Sequence, residues 1–316
     1  MKELKKTEID KELNEMIEKF HTIIIAKHVV PDWDAQGSAI GLANIIADNY
    51  KDKEVIVVGT RLDNDNSFSD KNLTDEQIKE ALVIVVDTAN IPRIDFPKWQ
   101  EAKCVFKIDH HLIVDQYGDY NMVVESAIAC AQVVTLWAKK MKLAISKVAA
   151  MNLYKGIVTD SGRFLFDQTD DETFIAASTL MDAGVDLNQI QKDLYLSDLN
   201  VQKWRMHAFS EMQLTPDGVG YIIAKKADYE AYKVPETRAV ACLSTLSGIK
   251  EIKIWFTVIE YTDFIGVELR SRDYAINSIA RDFNGGGHKL ASGCKLQSFE
   301  EVPKLVKACQ DLIKQG

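Results

Sequence analysis

Four short aliphatic runs constrain this chain more than any other feature: HTIIIA (21–26), EVIVVG (54–59), LVIVVD (82–87) and CVFKID (104–109). Each has the length of a strand. Their near-continuous apolar character suits strands covered on both faces, as in a parallel sheet. The stretch 37–50 has helical spacing and follows the first run closely, and helical patterns over 126–141, 146–158, 172–182 and 199–212 fill much of the remainder. Strands alternating with helices predict an α/β fold, a parallel sheet with helices on both faces.

The pattern changes near QLTPDGVG (213–220), where Pro216, Asp217 and Gly218 form a turn cluster. YIIAKK, IKIWFTVIEY and FIGVELRS then read as strands, with helices near 236–247, 275–283 and 300–314. A chain of 316 residues exceeds what one core usually holds. The expected division is a catalytic domain over 1–190, a helical linker over 191–215 and a smaller α+β domain over 216–316.

Charge narrows the partners. The net charge is -9, with 24 Lys and Arg against 34 Asp and Glu in residues 1–215 and 14 against 13 in the rest. Long nucleic acid requires a basic footprint, because affinity comes from neutralising many phosphates. This chain lacks one, so long duplex nucleic acid is not an expected partner. The five cysteines (Cys104, Cys130, Cys242, Cys294, Cys309) contain no C-x-x-C pair, which argues for reduced thiols. The N-terminus has no apolar core of signal-peptide type and no run suits a membrane span, so the expected location is cytoplasmic. Nothing in the pattern decides between a monomer and a homodimer.

Four acidic or histidine clusters end predicted elements, where ligands bind in open α/β sheets. HVVPDWDAQGS supplies His28, Asp32 and Asp34; VVDTAN supplies Asp87; IDHH supplies Asp109, His110 and His111; and GIVTDSGRF supplies Asp160. Any one of these aspartates alone would read as a turn or helix cap. Together they offer carboxylate and imidazole ligands for two divalent cations. Such ions neutralise an anionic phosphoester and acidify the water that attacks it. No thiolate lies in any cluster, which favours Mn²⁺ over zinc.

These four segments resemble, in the same order, the signature motifs of the DHH phosphoesterase superfamily. The resemblance implies one metal held by His28, Asp32 and Asp87 and another by Asp34, Asp87, His110 and Asp160, with Asp87 bridging. It also implies that His111 contacts the scissile phosphate and that Asp109 orients a histidine, so that His111, Asp109 and Asp87 form the catalytic set. Trp33 stands where relatives often carry Gly and is expected to pack. In the C-terminal half, VELRSRD (267–273) and NGGGHKLASG (284–293) contain Arg270, Ser271, Gly285, Gly286, Gly287 and His288. Consecutive glycines let a backbone approach phosphate closely, and Arg grips it through a planar fork. The pair of segments resembles the substrate-binding domain that accompanies DHH domains.

The two-domain plan resembles most the stand-alone oligoribonucleases, or nanoRNases, which also dephosphorylate 3′-phosphoadenosine 5′-phosphate (pAp). The implied activity is hydrolysis of RNAs of about 2–5 nucleotides, or of pAp to AMP. Alternatives are a phosphodiesterase for cyclic di-AMP or linear pApA, a RecJ-type exonuclease, and a nucleotide-binding module on a dead enzyme scaffold.

Overall fold

The computed structural model describes residues 6–63, 65–69, 73–113, 115–287 and 289–315. They belong to two compact units, Met1–Tyr195 and Leu196–Gly316. The first unit runs α1 (Lys6–Lys19), β1 (Thr22–Ala26), α2 (Trp33–Asn49), β2 (Glu54–Val57), α3 (Asp75–Glu80), β3 (Leu82–Val86), β4 (Cys104–Asp109), β5 (Tyr120–Val123), α4 (Cys130–Lys140), α5 (Lys147–Asp160), α6 (Asp171–Asp182) and α7 (Leu187–Tyr195). Its five strands pair in the order β2-β1-β3-β4-β5, and every pair is parallel.

The period of two along each strand explains the aliphatic runs. Ile23, Ile25, Ile84 and Phe106 face a core shared with Leu13, Ile40, Trp137 and Leu153 of the long helices. Ile24, Val83, Val85 and Val105 face the other way, onto Ile78 of α3 and onto Phe96 and Trp99. Both faces are covered, as the sequence predicts.

Helix α2 starts at Trp33 rather than 37 because the Asp32 side chain caps it, accepting from the amides of Asp34 and Ala35. It packs closely on α5. A Cβ built at Gly37 would lie 2.3 Å from the Asn152 carbonyl oxygen, a backbone atom that cannot step aside. Gly37→Ala should therefore force the two helices apart and cost about 1–3 kcal/mol, measurable in a urea transition. An unchanged midpoint would show that this contact is not tight.

The second unit runs α8 (Leu199–Ser210), β6 (Gln213–Leu214), β7 (Val219–Ala224), α9 (Lys226–Glu230), β8 (Ile254–Glu260), β9 (Ile265–Ser271), α10 (Asn277–Asp282), β10 (Gly286–Gly287), β11 (Ala291–Leu296) and α11 (Val302–Gln315). Its sheet has the order β10-β11-β9-β8-β7-β6, with β7 and β8 parallel and the other pairs antiparallel. Alternation splits β8: Ile254, Phe256 and Val258 enter one core, and Trp255 and Ile259 another. The helix expected over 236–247 is a 3₁₀ helix, Glu236–Leu246. Ser244 and Thr245 donate their hydroxyls to carbonyls three residues back, at Ala241 and Cys242, a spacing that matches the tighter coil. All five cysteines are buried and free. Among the described residues, no helix is long and apolar enough to cross a membrane.

Candidate metal centre

Parallel strands end at one edge of the sheet, and there the first unit collects its charged side chains. His28 follows β1, Asp87 follows β3, and Asp109 closes β4 with His110 and His111 behind it. Asp34 lies in the first turn of α2, and Asp160 is the last residue of α5. Three groups of ligand atoms result, each gathered within 4.8 Å: His28, Asp32 and Asp87; Asp34, His110 and Asp160; and Asp87, His110 and His111.

Asp87 belongs to two of these groups, as His110 does. It is 1% exposed. Its Oδ2 lies 3.4 Å from His28 Nε2, and its Oδ1 lies 3.4 Å from His110 Nε2 and 3.5 Å from His111 Nδ1. Its backbone holds a left-handed φ of 50°, which Asp tolerates better than most residues and which turns the chain out of β3. Asp34 is fully buried. Its two oxygens accept from the Cys130 and Ala131 amides at 2.6 and 2.9 Å, so the N-terminus of α4 grips this carboxylate. Asp32 Oδ1 caps α2 and leaves Oδ2 3.7 Å from His28 Nε2.

Each histidine has an acceptor beside its Nδ1. Val29 O lies 2.9 Å from that atom in His28, Ala127 O 3.2 Å in His110, and Asp109 Oδ1 2.8 Å in His111. An Nδ1–H donating to these oxygens leaves Nε2 as the ligand atom, the arrangement that metal-binding imidazoles use.

The electrostatics are those of a crowded anionic site. Burial and the neighbouring carboxylates push Asp34 and Asp160 well above the usual range. Burial opposes charge on His28 and His110. Asp32 and Asp87 nonetheless carry His28 to about 10, and Asp87, Asp34 and Asp160 carry His110 to about 10. Burial would likewise raise Asp87, but His110 and His28 hold it far below the usual range. Asp87 Oδ1 and His110 Nε2 are buried without a hydrogen-bond partner. Such orphaned atoms cost free energy unless something meets them. A divalent cation with oxygen and imidazole ligands fits this donor set.

Asp109 stands apart from the ligand atoms. Its Oδ1 accepts from the His110 and His111 amides as well as from the His111 ring. Trp33 is half-buried, with Lys155 Nζ 4.8 Å from its ring centroid and Lys155 paired to Asp193 at 2.7 Å. Two contributors left no signal in the sequence: the amides at the start of α4, and Arg93, whose guanidinium lies 3.0 Å from His28 Nδ1 and, carrying only donors, cannot bond that nitrogen while it donates to Val29 O. The amides belong to residues 96 and 97 positions from Asp34, and main-chain donors carry no residue code.

The remaining sequence-predicted residues lie in the second unit. Arg270 on β9 sits opposite Ala291 on β11. Its guanidinium bonds Glu268 at 3.0 Å and the Leu269 carbonyl at 2.8 Å. Ser271 is buried and donates to the Tyr274 carbonyl. Gly286 and Gly287 form β10 against Gly293 and Ser292. A Cβ at Gly285 would strike the Gly293 carbonyl oxygen at 2.1 Å, and Gly287 has a φ of 134°. Both positions demand glycine for reasons internal to the fold. Gly286 differs: among the described residues, a Cβ there would meet nothing within 4 Å. His288 lies outside the described residues.

Residues 22–157 match the DHH family, N-terminal domain, and residues 220–315 match the DHHA1 domain. The chain is 35% identical to the bifunctional oligoribonuclease and PAP phosphatase NrnA of Bacillus subtilis (strain 168), over 96% of this chain and 98% of that protein. It is 34% identical to the probable bifunctional oligoribonuclease and PAP phosphatase NrnA of Streptococcus mutans, over 94% of this chain and 97% of that one. A crystal structure of an exopolyphosphatase-related protein from Bacteroides fragilis shares the fold, with a TM-score of 0.89 at 23% identity, over 99% of this chain and 100% of that chain.

Proposed function

The chain belongs to the DHH family of phosphoesterase hydrolases, and on that footing we propose that it hydrolyses RNAs of a few nucleotides to mononucleotides and pAp to AMP, using two divalent ions, Mn²⁺ in the first instance. The observation that carries this reading is the division of Asp87, one oxygen turned to His28 and the other to His110. One carboxylate placed between two ligand groups is what a pair of ions sharing a bridge requires.

In this reading His28, Asp32 and Asp87 would hold one ion, and Asp34, Asp87, His110 and Asp160 would hold the other. The ions would supply charge neutralisation at the phosphate and acidify the attacking water. The side chains do the placing. Asp34 is locked to the α4 amides, and each histidine ring is fixed through Nδ1. His111, held by Asp109, meets the scissile phosphate. Arg270, Ser271, Gly285, Gly286, Gly287 and His288 are the second unit's substrate-binding candidates.

The relatives' names support the substrate choice, and the net charge of -9 supports the short length. The test is a rate panel on Mn²⁺-loaded enzyme: RNAs of 2 to 5 nucleotides, a long single strand, pAp, linear pApA and cyclic di-AMP. Rates should fall steeply beyond a few nucleotides and depend weakly on salt, because few counterions are released. Faster cleavage of the long strand would select the exonuclease reading, and a clear preference for cyclic di-AMP would select the phosphodiesterase one.

Gly286 allows a sharper test. Among the described residues nothing crowds a side chain there, which leaves room for a ligand to reach the backbone. Gly286→Ala should raise KM for a dinucleotide roughly tenfold, worth about 1.4 kcal/mol, with kcat and the melting temperature little changed. A variant with unaltered KM would remove β10 from the binding site.

A further inference from the structure

Lys107 has no part in the reading above, yet it is among the largest fully buried side chains of the protein. Strand β4 is buried along its whole length, and alternation puts Val105, Lys107 and Asp109 on one face of it. An ammonium buried there must be paired and hydrogen-bonded. Its Nζ lies 3.2 Å from Asp109 Oδ2. That contact is an ion pair without a hydrogen bond, and the ammonium donates instead to the carbonyls of Ala89, at 3.2 Å, and Asp115, at 3.4 Å. The Tyr117 ring stands 4.7 Å away, and the Tyr117 hydroxyl donates to the Thr88 carbonyl at 2.7 Å.

These partners converge on the reacting residues. Thr88 and Ala89 are the two residues after Asp87, whose left-handed backbone must be held from outside. Asp115 belongs to the loop that follows His111. Asp109 occupies Oδ2 with the ammonium and spends Oδ1 on the His111 ring and the two histidine amides. One cation thus ties the Asp87 turn, the loop after His111 and the carboxylate that aims His111 to a single point on β4.

We propose that Lys107 is a positioning residue of this site, keeping Asp109–His111 and the Asp87 turn in register without touching substrate or metal. The inference rests on the reading of Asp87 and His111 as catalytic. A buried pair that only supports the fold would lower stability and leave the geometry of His111 alone. A positioning residue must change His111 itself.

The test uses Lys107→Met in the full chain. Turnover should fall on the order of 10²-fold with KM within about twofold, as expected when reacting groups lose alignment. In selectively ¹⁵N-histidine-labelled, metal-free protein, the His111 Nδ1–H resonance should shift or broaden. The double variant with His111→Gln should lose much less than the product of the two single losses, because the two changes share one function. Additive losses or an unmoved His111 resonance would overturn the proposal. Should Lys107→Met fail to fold, Lys107→Gln takes its place, since it keeps a donor for the two carbonyls and lacks the charge. Wild-type turnover in Lys107→Gln beside a dead His111→Gln enzyme would sink this inference alone. Wild-type turnover in His111→Gln would sink the catalytic reading beneath it.

Discussion

Asp87→Ala is expected to lower turnover on the order of 10³-fold or more while the first unit still melts cooperatively. The size of the loss follows from position. The carboxylate stands between three imidazoles, 3.4 Å from His28, 3.4 Å from His110 and 3.5 Å from His111. Removing it empties one corner of two ligand groups at once, so calorimetric titration should show weakened uptake of Mn²⁺ at both. Stability should move less. Alanine tolerates a left-handed φ of 50° less well than aspartate, which already bears most of that strain. In metal-free protein the loss of this carboxylate also leaves buried His28 and His110 without a counter-charge, so they give up their protons and stability falls further. A variant with near wild-type rate would show that this cluster is not where the chemistry occurs.

The sequence made Asp87 legible because LVIVVD ends an unmistakable buried strand in a charged residue. The same holds for Asp109 and for His28, since β-branched runs announce both the strand and its end. Other elements were harder. Tyr120–Val123 forms β5, yet only Met122 is fully buried there, so the run lacks the aliphatic signal of its neighbours. Gly286–Gly287 and Ala291–Leu296 pair as β10 and β11, where a glycine cluster reads as a loop because ladder partners are invisible in one dimension. Asp34 shows a different limit. Its residue type and spacing mark it as a ligand candidate, but what grips it is main chain from α4. Lys107 left a signal that only burial explains, a lysine inside CVFKID where every neighbour is apolar or acidic. Charge in a buried strand asks for partners, and their identity emerges only when the loops after β3 and β4 are folded back on it.

Metal removal should be as damaging as the loss of Asp87, and its pH dependence follows from the same crowding. Chelator-treated protein should lose activity by at least about 10³-fold and recover it with Mn²⁺. In the metal-free site, Asp32 and Asp87 hold His28 protonated up to about 10 against the pull of burial, and Asp87 and Asp34 do the same for His110. A cation needs those Nε2 lone pairs, so its uptake must expel protons. Titration of Mn²⁺ at neutral pH, in two buffers of different ionisation enthalpy, should therefore report release of more than one proton per protein, and affinity should rise with pH. The sign for stability is the opposite. Both folded-state values lie above the ordinary 6.5, so the stabilisation from protonated His28 and His110 is complete below about 6.5 and is lost as pH rises through about 10. Asp87 acts the other way, but its depressed value confines that loss to acid. Between neutrality and pH 10 the histidines govern, so the metal-free melting temperature should fall, and bound Mn²⁺ should abolish the decline by replacing the protons as the positive charge among the carboxylates. Full activity in stripped protein would end the two-ion reading. Mn²⁺ uptake without proton release would mean that the ions bind elsewhere than between His28, Asp87 and His110.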